Sequence, residues 1–188
     1  MKNSNNPEEF DYNLLQKCGK DVFISSRAEI RRPHLVTIGD HVAIDSGVYI
    51  TTQAEIGDYI HLSPYITVIG GAKSKIIVED FVTIAAGSRI IAGSDKFLGE
   101  GFTSVTAPDE YRDTVEFSTV HFKRFCGVGT NVVIMPGVTI AEGSVIGACS
   151  LITKDTEPWT IYMGIPAKPV KIRKKEKMIE YAKKLGYL

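Results

Sequence analysis

The chain has 188 residues and a mass of 20.7 kDa, enough for one domain with a sizeable core and short for two. Lys+Arg and Asp+Glu both number 22, so the formal net charge is +0, which argues against nucleic acid or an anionic membrane as a partner. Hydrophobic residues at 44% and charged residues at 23% argue against disorder.

Residues 1–7 carry no apolar segment of the signal-peptide kind, and no apolar run approaches the roughly 20 residues that span a bilayer. The cysteines Cys18, Cys126 and Cys149 lack zinc-like spacing and suit free thiols. A cytoplasmic protein is expected. Asn6-Pro7-Glu8-Glu9 is a helix-start signature, with Phe10, Leu14, Leu15 and Cys18 on one stripe and Gly19 as the stop, predicting a helical cap over residues 1–20.

A six-residue period then takes over. Counting from Ile38 gives Ile44, Ile50, Ile56, Leu62 and Val68; after a slip of four, Val78, Ile84 and Ile90; after a long excursion, Phe122, Val128, Ile134, Ile140, Ile146 and Ile152. All fifteen starts are apolar. Four places after the starts, small or β-branched side chains recur, among them Val42, Ala54, Ile66, Ser88, Ser94, Cys126 and Ser150, marking a second inward position. Gly47, Gly87, Gly93, Gly137 and Gly143 stand three places after a start, where a tight corner calls for positive φ. A helix repeats near 3.6 residues and a hairpin strand near 2, so period six with a corner in each unit means short strands joined by sharp turns. Three units make a triangular coil of 18 residues. Stacked coils pair as parallel strands about 4.8 Å apart around an aliphatic column. The coils are expected over residues 21–95 and 122–170.

Two interruptions break the register. The slip at residues 70–75 predicts a bulging turn. The excursion over residues 96–121 is longer than the ~12–15 residues that structureless connections usually allow, which points to a lid or binding loop. Asp95 stands where it departs, so its carboxylate is expected to be fixed by the coil and shielded by the loop, with Glu100 close enough in sequence to reach the same place. The other loop charges, Asp113 among them, read as solvated surface. His61 points outward, one 18-residue coil below Glu79, and reads equally as a surface histidine or a substrate contact; His121 has the same standing. Met178, Ala182 and Leu185 at i, i+4, i+7 predict an amphipathic helix within residues 171–188. Its Lys171, Arg173, Lys174, Lys175 and Lys177 read as a solubilising face or as partners for phosphate.

With these repeats the sequence resembles the hexapeptide-repeat acyltransferases, most of all in Gly143-Ser144-Val145-Ile146-Gly147-Ala148 and in Trp159-Thr160-Ile161-Tyr162-Met163-Gly164-Ile165-Pro166-Ala167-Lys168-Pro169-Val170. The resemblance implies an all-β fold, a left-handed parallel β-helix with a long loop excursion and short terminal helices, forming a single acyltransferase domain over residues 1–188. It also implies a homotrimer with sites between subunits. Acetyl-CoA would be the cosubstrate, its pantetheine arm near Gly129, Gly147 and Ala148 and its phosphates met by Lys154, Lys168 and Arg173; no metal is implied. His61-Leu62-Ser63-Pro64-Tyr65, Gly70-Gly71, the run from Gly93 to Gly101 and Pro108-Asp109-Glu110-Tyr111-Arg112 are similar to a subgroup that acetylates nucleotide-linked amino sugars such as dTDP-4-amino-4,6-dideoxyglucose. Asp95-Lys96 stands where that subgroup carries paired acids, and Ala85-Ala86 where it carries serines.

The function implied is an acetyl-CoA-dependent N-acetyltransferase of bacterial surface-polysaccharide (O-antigen) biosynthesis. An ammonium cannot attack a thioester, so a carboxylate must orient the neutral amine and take its proton. Asp95 fits that role, with Glu100 supporting and His61 contacting substrate. Two alternatives stand: an O-acetyltransferase with a histidine base, His61 or His121, and a non-catalytic β-helix subunit that only mediates assembly.

Overall fold

Each apolar repeat start lies in a strand of two to four residues, its side chain turned inward while the residue before it faces outward. The computed structural model, which describes residues 10–188, stacks these strands into three parallel faces of a β-helix. The first face runs Lys17–Cys18, Val36–Ile38, Gln53–Ile56, Lys75–Val78, Thr119–Phe122 and Thr139–Ile140. The second runs Phe23–Ile24, Ala43–Ile44, His61–Leu62, Thr83–Ile84, Gly127–Val128, Val145–Ile146, Thr160–Gly164 and Ala167–Ile172. The third runs Glu29–Ile30, Tyr49–Ile50, Thr67–Ile69, Arg89–Ile91, Val133–Ile134 and Leu151–Ile152.

The aliphatic column is as the period predicts: Ile44, Ile50, Ile56, Leu62, Ile84, Ile90, Val128, Ile134, Ile140 and Ile146 are all 4% exposed or less. Burial of a side chain of this size stabilises by roughly 1.5–3 kcal/mol. The second inward positions are buried too, and the buried Ser88 hydroxyl is satisfied by donating to the Ala85 and Gly129 carbonyls at 2.9 and 3.0 Å. Ser94 departs from the pattern, only half-buried because the chain has already left the coil.

Gly47, Gly87, Gly137 and Gly143 have the positive φ expected of a corner, 66–76°, but not every corner uses glycine. The corner between the first and second faces carries His41, Tyr59, Phe81, Phe125 and Trp159 at φ of 54–63°. A bulky residue there is a backbone outlier, held when its surroundings over-determine it. Here the rings stack coil upon coil: His41 on Tyr59 with centroids 4.6 Å apart, Tyr59 on Phe81 at 5.1 Å, Phe81 on Phe125 at 5.3 Å. Beside them runs a carboxylate ladder, in which Asp40 N–H donates to Asp58 Oδ1 at 2.7 Å and Asp58 N–H to Asp80 Oδ1 at 3.0 Å. Gly93 corrects the corner expectation. It lacks positive φ, and its missing side chain admits Ser74 Oγ, which would lie 2.7 Å from a Cβ.

The amino-terminal cap is also corrected. The start signature at residues 6–9 lies outside the described residues, but from there the chain forms a single 3₁₀ turn, Tyr12–Leu14, and then the strand Lys17–Cys18, paired with Val36–Ile38. Gly19 is no helix stop: a Cβ on it would lie 2.3 Å from Asp40 Oδ1, so it is a corner residue and the coils begin before residue 21. The slip puts Gly70 and Gly71 in a turn closed by Ser74 Oγ donating to Gly70 O at 3.0 Å. Its extra residues shift the register, so Thr83 rather than Glu79 lies above His61. At the other end the strand Ala167–Ile172 runs antiparallel to Thr160–Gly164 after a turn through Gly164, so the parallel stack stops short of residue 170 and the helix occupies only Glu176–Lys184.

Candidate active site

The excursion leaves between the third and first faces through a narrow neck, where Ser118 N–H donates to Ala92 O at 2.8 Å. It rises as a hairpin, Gly93–Asp95 antiparallel to Val115–Phe117, with Asp95 opposite Val115. Asp95 is therefore held by the hairpin and not by the coil, which corrects the expectation. Its side chain borders a cavity of about 270 Å³ together with Phe102, Arg112, Asp113 and Phe117. Glu100 is exposed and does not line that cavity, so the structure does not bring the two acids together there.

His61 lies on the second face with Nε2 2.8 Å from Asp45 Oδ2, an exposed imidazole–carboxylate pair. The hairpin springs from the corner between the other two faces, so His61 and Asp95 belong to different sides of one chain. Asp45 was not singled out in the sequence. Its signal is the wrap of the coils, since it follows the start Ile44 as His61 precedes the next coil's Leu62. His121 is half-buried on the first face, Nε2 2.8 Å from Glu79 Oε1. Burial acts to raise the Glu79 pKa, but hydrogen bonds from Lys123, His121 and the Arg124 amide outweigh it and hold the carboxyl below its ordinary value.

Of the residues expected near coenzyme A, Lys154 and Lys168 line one cavity of about 290 Å³ with Asp155, Tyr162 and Ala167. Gly129 and Gly147 allow close stacking: a Cβ on Gly129 would lie 2.6 Å from Ala148 N and one on Gly147 2.8 Å from Met163. Arg173 stands apart. Its guanidinium donates to Phe125 O at 2.7 Å and Gly143 O at 3.0 Å, beside a cavity of about 340 Å³ that Met178 and Ala182 of the helix Glu176–Lys184 help to line. Burial lowers its pKa from the ordinary arginine value. Arg173 thus fastens the helix to the coils, with a small second core of Phe125, Trp159 and Ala182. Among the described residues no group of three or more His, Cys, Asp or Glu is placed to hold a metal ion.

The arrangement offers a carboxylate on hairpin-paired backbone beside a cavity for proton transfer, and cations near the final coils for an anionic cosubstrate. The bacterial transferase hexapeptide family (six repeats) matches residues 121–154. The chain is 31% identical over 165 residues to the dTDP-4-amino-4,6-dideoxy-D-glucose acyltransferase of Escherichia coli, covering 86% of this chain and 84% of that one. Its fold is similar to AntD, an N-acyltransferase from Bacillus cereus solved with dTDP and 3-hydroxybutyryl-CoA: TM-score 0.85, 31% identity, and coverage of 92% of this chain and 90% of that one. Galactoside O-acetyltransferase of Escherichia coli K12 is 25% identical over 150 residues, covering 79% and 69% of the two chains.

Proposed function

Because the chain belongs to the hexapeptide-repeat acyltransferases, we propose that it transfers an acyl group, acetyl at its smallest, from coenzyme A to the amine of a dTDP-linked deoxyamino sugar. The supporting observation is the likeness over 92% of the chain to an enzyme solved with dTDP and an acyl-CoA. The uncovered 8% is too small to omit the excursion of residues 96–121, so at least part of the segment that follows Asp95 is shared.

In this reading Asp95 orients the neutral amine and accepts its proton as nitrogen attacks the thioester carbonyl, a backbone N–H at a corner steadies the developing oxyanion, and the thiol of coenzyme A leaves. Lys154 and Lys168 meet phosphates. Phe97, Leu98, Phe102, Val105 and Tyr111 are at least 58% exposed on the excursion, an apolar surface that suits cover by a neighbouring copy in a trimer. An N-acylated nucleotide sugar is a building block for surface polysaccharide such as O-antigen, assembled from cytoplasmic precursors.

Thiol release from acetyl-CoA with a panel of dTDP- and UDP-amino sugars tests the proposal. Turnover is expected with a dTDP-amino sugar and falls by about 100-fold or more in Asp95→Asn. Undiminished turnover in that variant removes Asp95 from proton transfer. The pair of His61 and Asp45 at 2.8 Å favours a second reading, O-acylation with His61 as base. Robust acylation of a hydroxy sugar, abolished by His61→Ala and indifferent to Asp95→Asn, would make it the correct one.

A further inference from the structure

The cavity of about 340 Å³ beside the helix Glu176–Lys184 has no part in the proposed acyl transfer. Part of its wall is buried and apolar: Phe125, Cys126 and Ala182 are 5%, 2% and 1% exposed. Cys126 asks nothing of an occupant, because its thiol donates to the Ala141 carbonyl at 3.1 Å. Tyr181 and Leu185, each more than half exposed, stand toward solvent. A single charged group breaks this lining, the guanidinium of Arg173.

That charge is unmet. Nη1 is engaged by the Phe125 and Gly143 carbonyls, but Nη2 meets the Met178 sulfur at 3.2 Å, a weak acceptor. Among the described residues no hydrogen bond reaches Nε and no carboxylate pairs with the group. Met178 lines the cavity too, which places the Nε–Nη2 edge at its wall. A half-buried cation with no anion beside it is costly, because the water it gives up has not been replaced by an opposite charge.

Three requirements on an occupant follow. It must carry a negative charge, and the planar Nε–Nη2 edge suits a carboxylate, which can accept two parallel hydrogen bonds from it. Its remainder must be apolar, to replace water against Phe81, Phe125 and Leu185. It must also be small, since at ~30 Å³ per water the cavity equals about eleven waters, room for roughly ten non-hydrogen atoms and not for a phospholipid or a whole coenzyme A. A straight-chain carboxylate of about eight carbons has that size. A sugar phosphate has the charge without the tail. We infer that this cavity is a binding site for a medium-chain monocarboxylate, its tail against Phe81, Phe125 and Met178 and its head group paired with Arg173. The inference is separate from the amino-sugar reading above and does not rest on it.

Titration of the full chain with octanoate tests it, read by calorimetry and by the fluorescence of Trp159, the single tryptophan, whose ring centroid lies 5.8 Å from that of Phe125. Saturable binding is expected, about ten-fold or more tighter than that of octanol, which has the tail without the charge. Octylamine, with the wrong charge, and acetate, without the tail, should not bind. Arg173→Gln should weaken octanoate by about ten-fold or more and leave octanol unchanged. Thr83→Phe fills the cavity from an exposed position on the coils and leaves the partners of Arg173 in place, so it should abolish binding of both even if the arginine variant fails to fold. The inference is overturned by the absence of saturable octanoate binding in wild type, by equal affinity for octanoate and octanol, or by undiminished octanoate affinity in Thr83→Phe. Competition between octanoate and coenzyme A overturns it as well, since the cavity would then belong to the cosubstrate site.

Discussion

Carboxylates of one chemical type do different work here according to what meets the second oxygen. Asp58 accepts the Asp40 N–H of the preceding coil with Oδ1 and the Tyr187 hydroxyl with Oδ2, both at 2.7 Å, the latter drawing the carboxy terminus onto the stack. That bond holds the Tyr187 phenol up at about 12. Glu79 gathers three donors, and its depressed pKa has a consequence with a definite sign. A group whose folded pKa lies below its unfolded value, here 4.5, contributes stability that is complete at neutral pH and lost as pH falls through the folded value. Glu79→Gln should therefore be less stable than wild type at pH 7, by up to about 1 kcal/mol, and the two melting temperatures should converge well below pH 4.5. Cysteines differ by burial in the same way. Burial pushes the Cys126 thiol up to about 12, whereas Cys149 is exposed, so a colorimetric thiol titration of the native protein should modify Cys149 and leave Cys126 unreacted until denaturant is added. None of these partners is legible from residue type. The sequence marks Asp95 because it stands at a break in the register, but Asp113, which is 5% exposed and not the solvated acid expected, looks like any loop acid until Gly101 and Phe102 bring its backbone inward.

At the scale of the strand and corner, the inward column could be read directly because one apolar residue in six is a strong signal, and the burial of all ten expected positions follows from it. The corners could not. Five residues at one of them are aromatic or histidine in a backbone region that disfavours them, and only the neighbouring coils, which supply the stacking, make that conformation stable. The carboxylate ladder explains why glycine precedes Asp40 and Asp58: a Cβ on Gly39 or Gly57 would lie 2.1 or 2.6 Å from the carboxylate of the next coil. Gly57→Ala should displace Asp80 from the Asp58 N–H and cost about 1–3 kcal/mol, measured by chemical denaturation. The same substitution at Gly71, where nothing lies within 4 Å, tests strain at φ +78° without the clash. The amino-terminal cap misled for a related reason: a stripe spaced like a helix was overridden by pairing of Lys17–Cys18 with the first face.

For the whole molecule, the period counts the coils but says nothing about which side the excursion rises from or what the ends do. The neck at Ala92 and Ser118 makes the excursion separable, since among the described residues its hairpin strands pair only with each other. Joining residue 95 to residue 115 through a short glycine turn should leave the parallel stack folded, with a melting temperature close to that of wild type and coenzyme A binding retained, while acylation of the amino sugar is lost. A fall in coenzyme A binding would place part of that site on the excursion. A solenoid of parallel strands carries a particular hazard, because its last coil presents an unpaired edge in the orientation that another chain's first coil needs, and copies could add end to end into a fibre. The turn at Gly164 removes that opening on the second face by laying Ala167–Ile172 against the stack in the opposite direction. The strand left outermost contains Pro169, which has no N–H to offer, with Lys168 and Lys171 exposed on either side of it. Reversing the final strand thus works as a chain terminator for polymerisation.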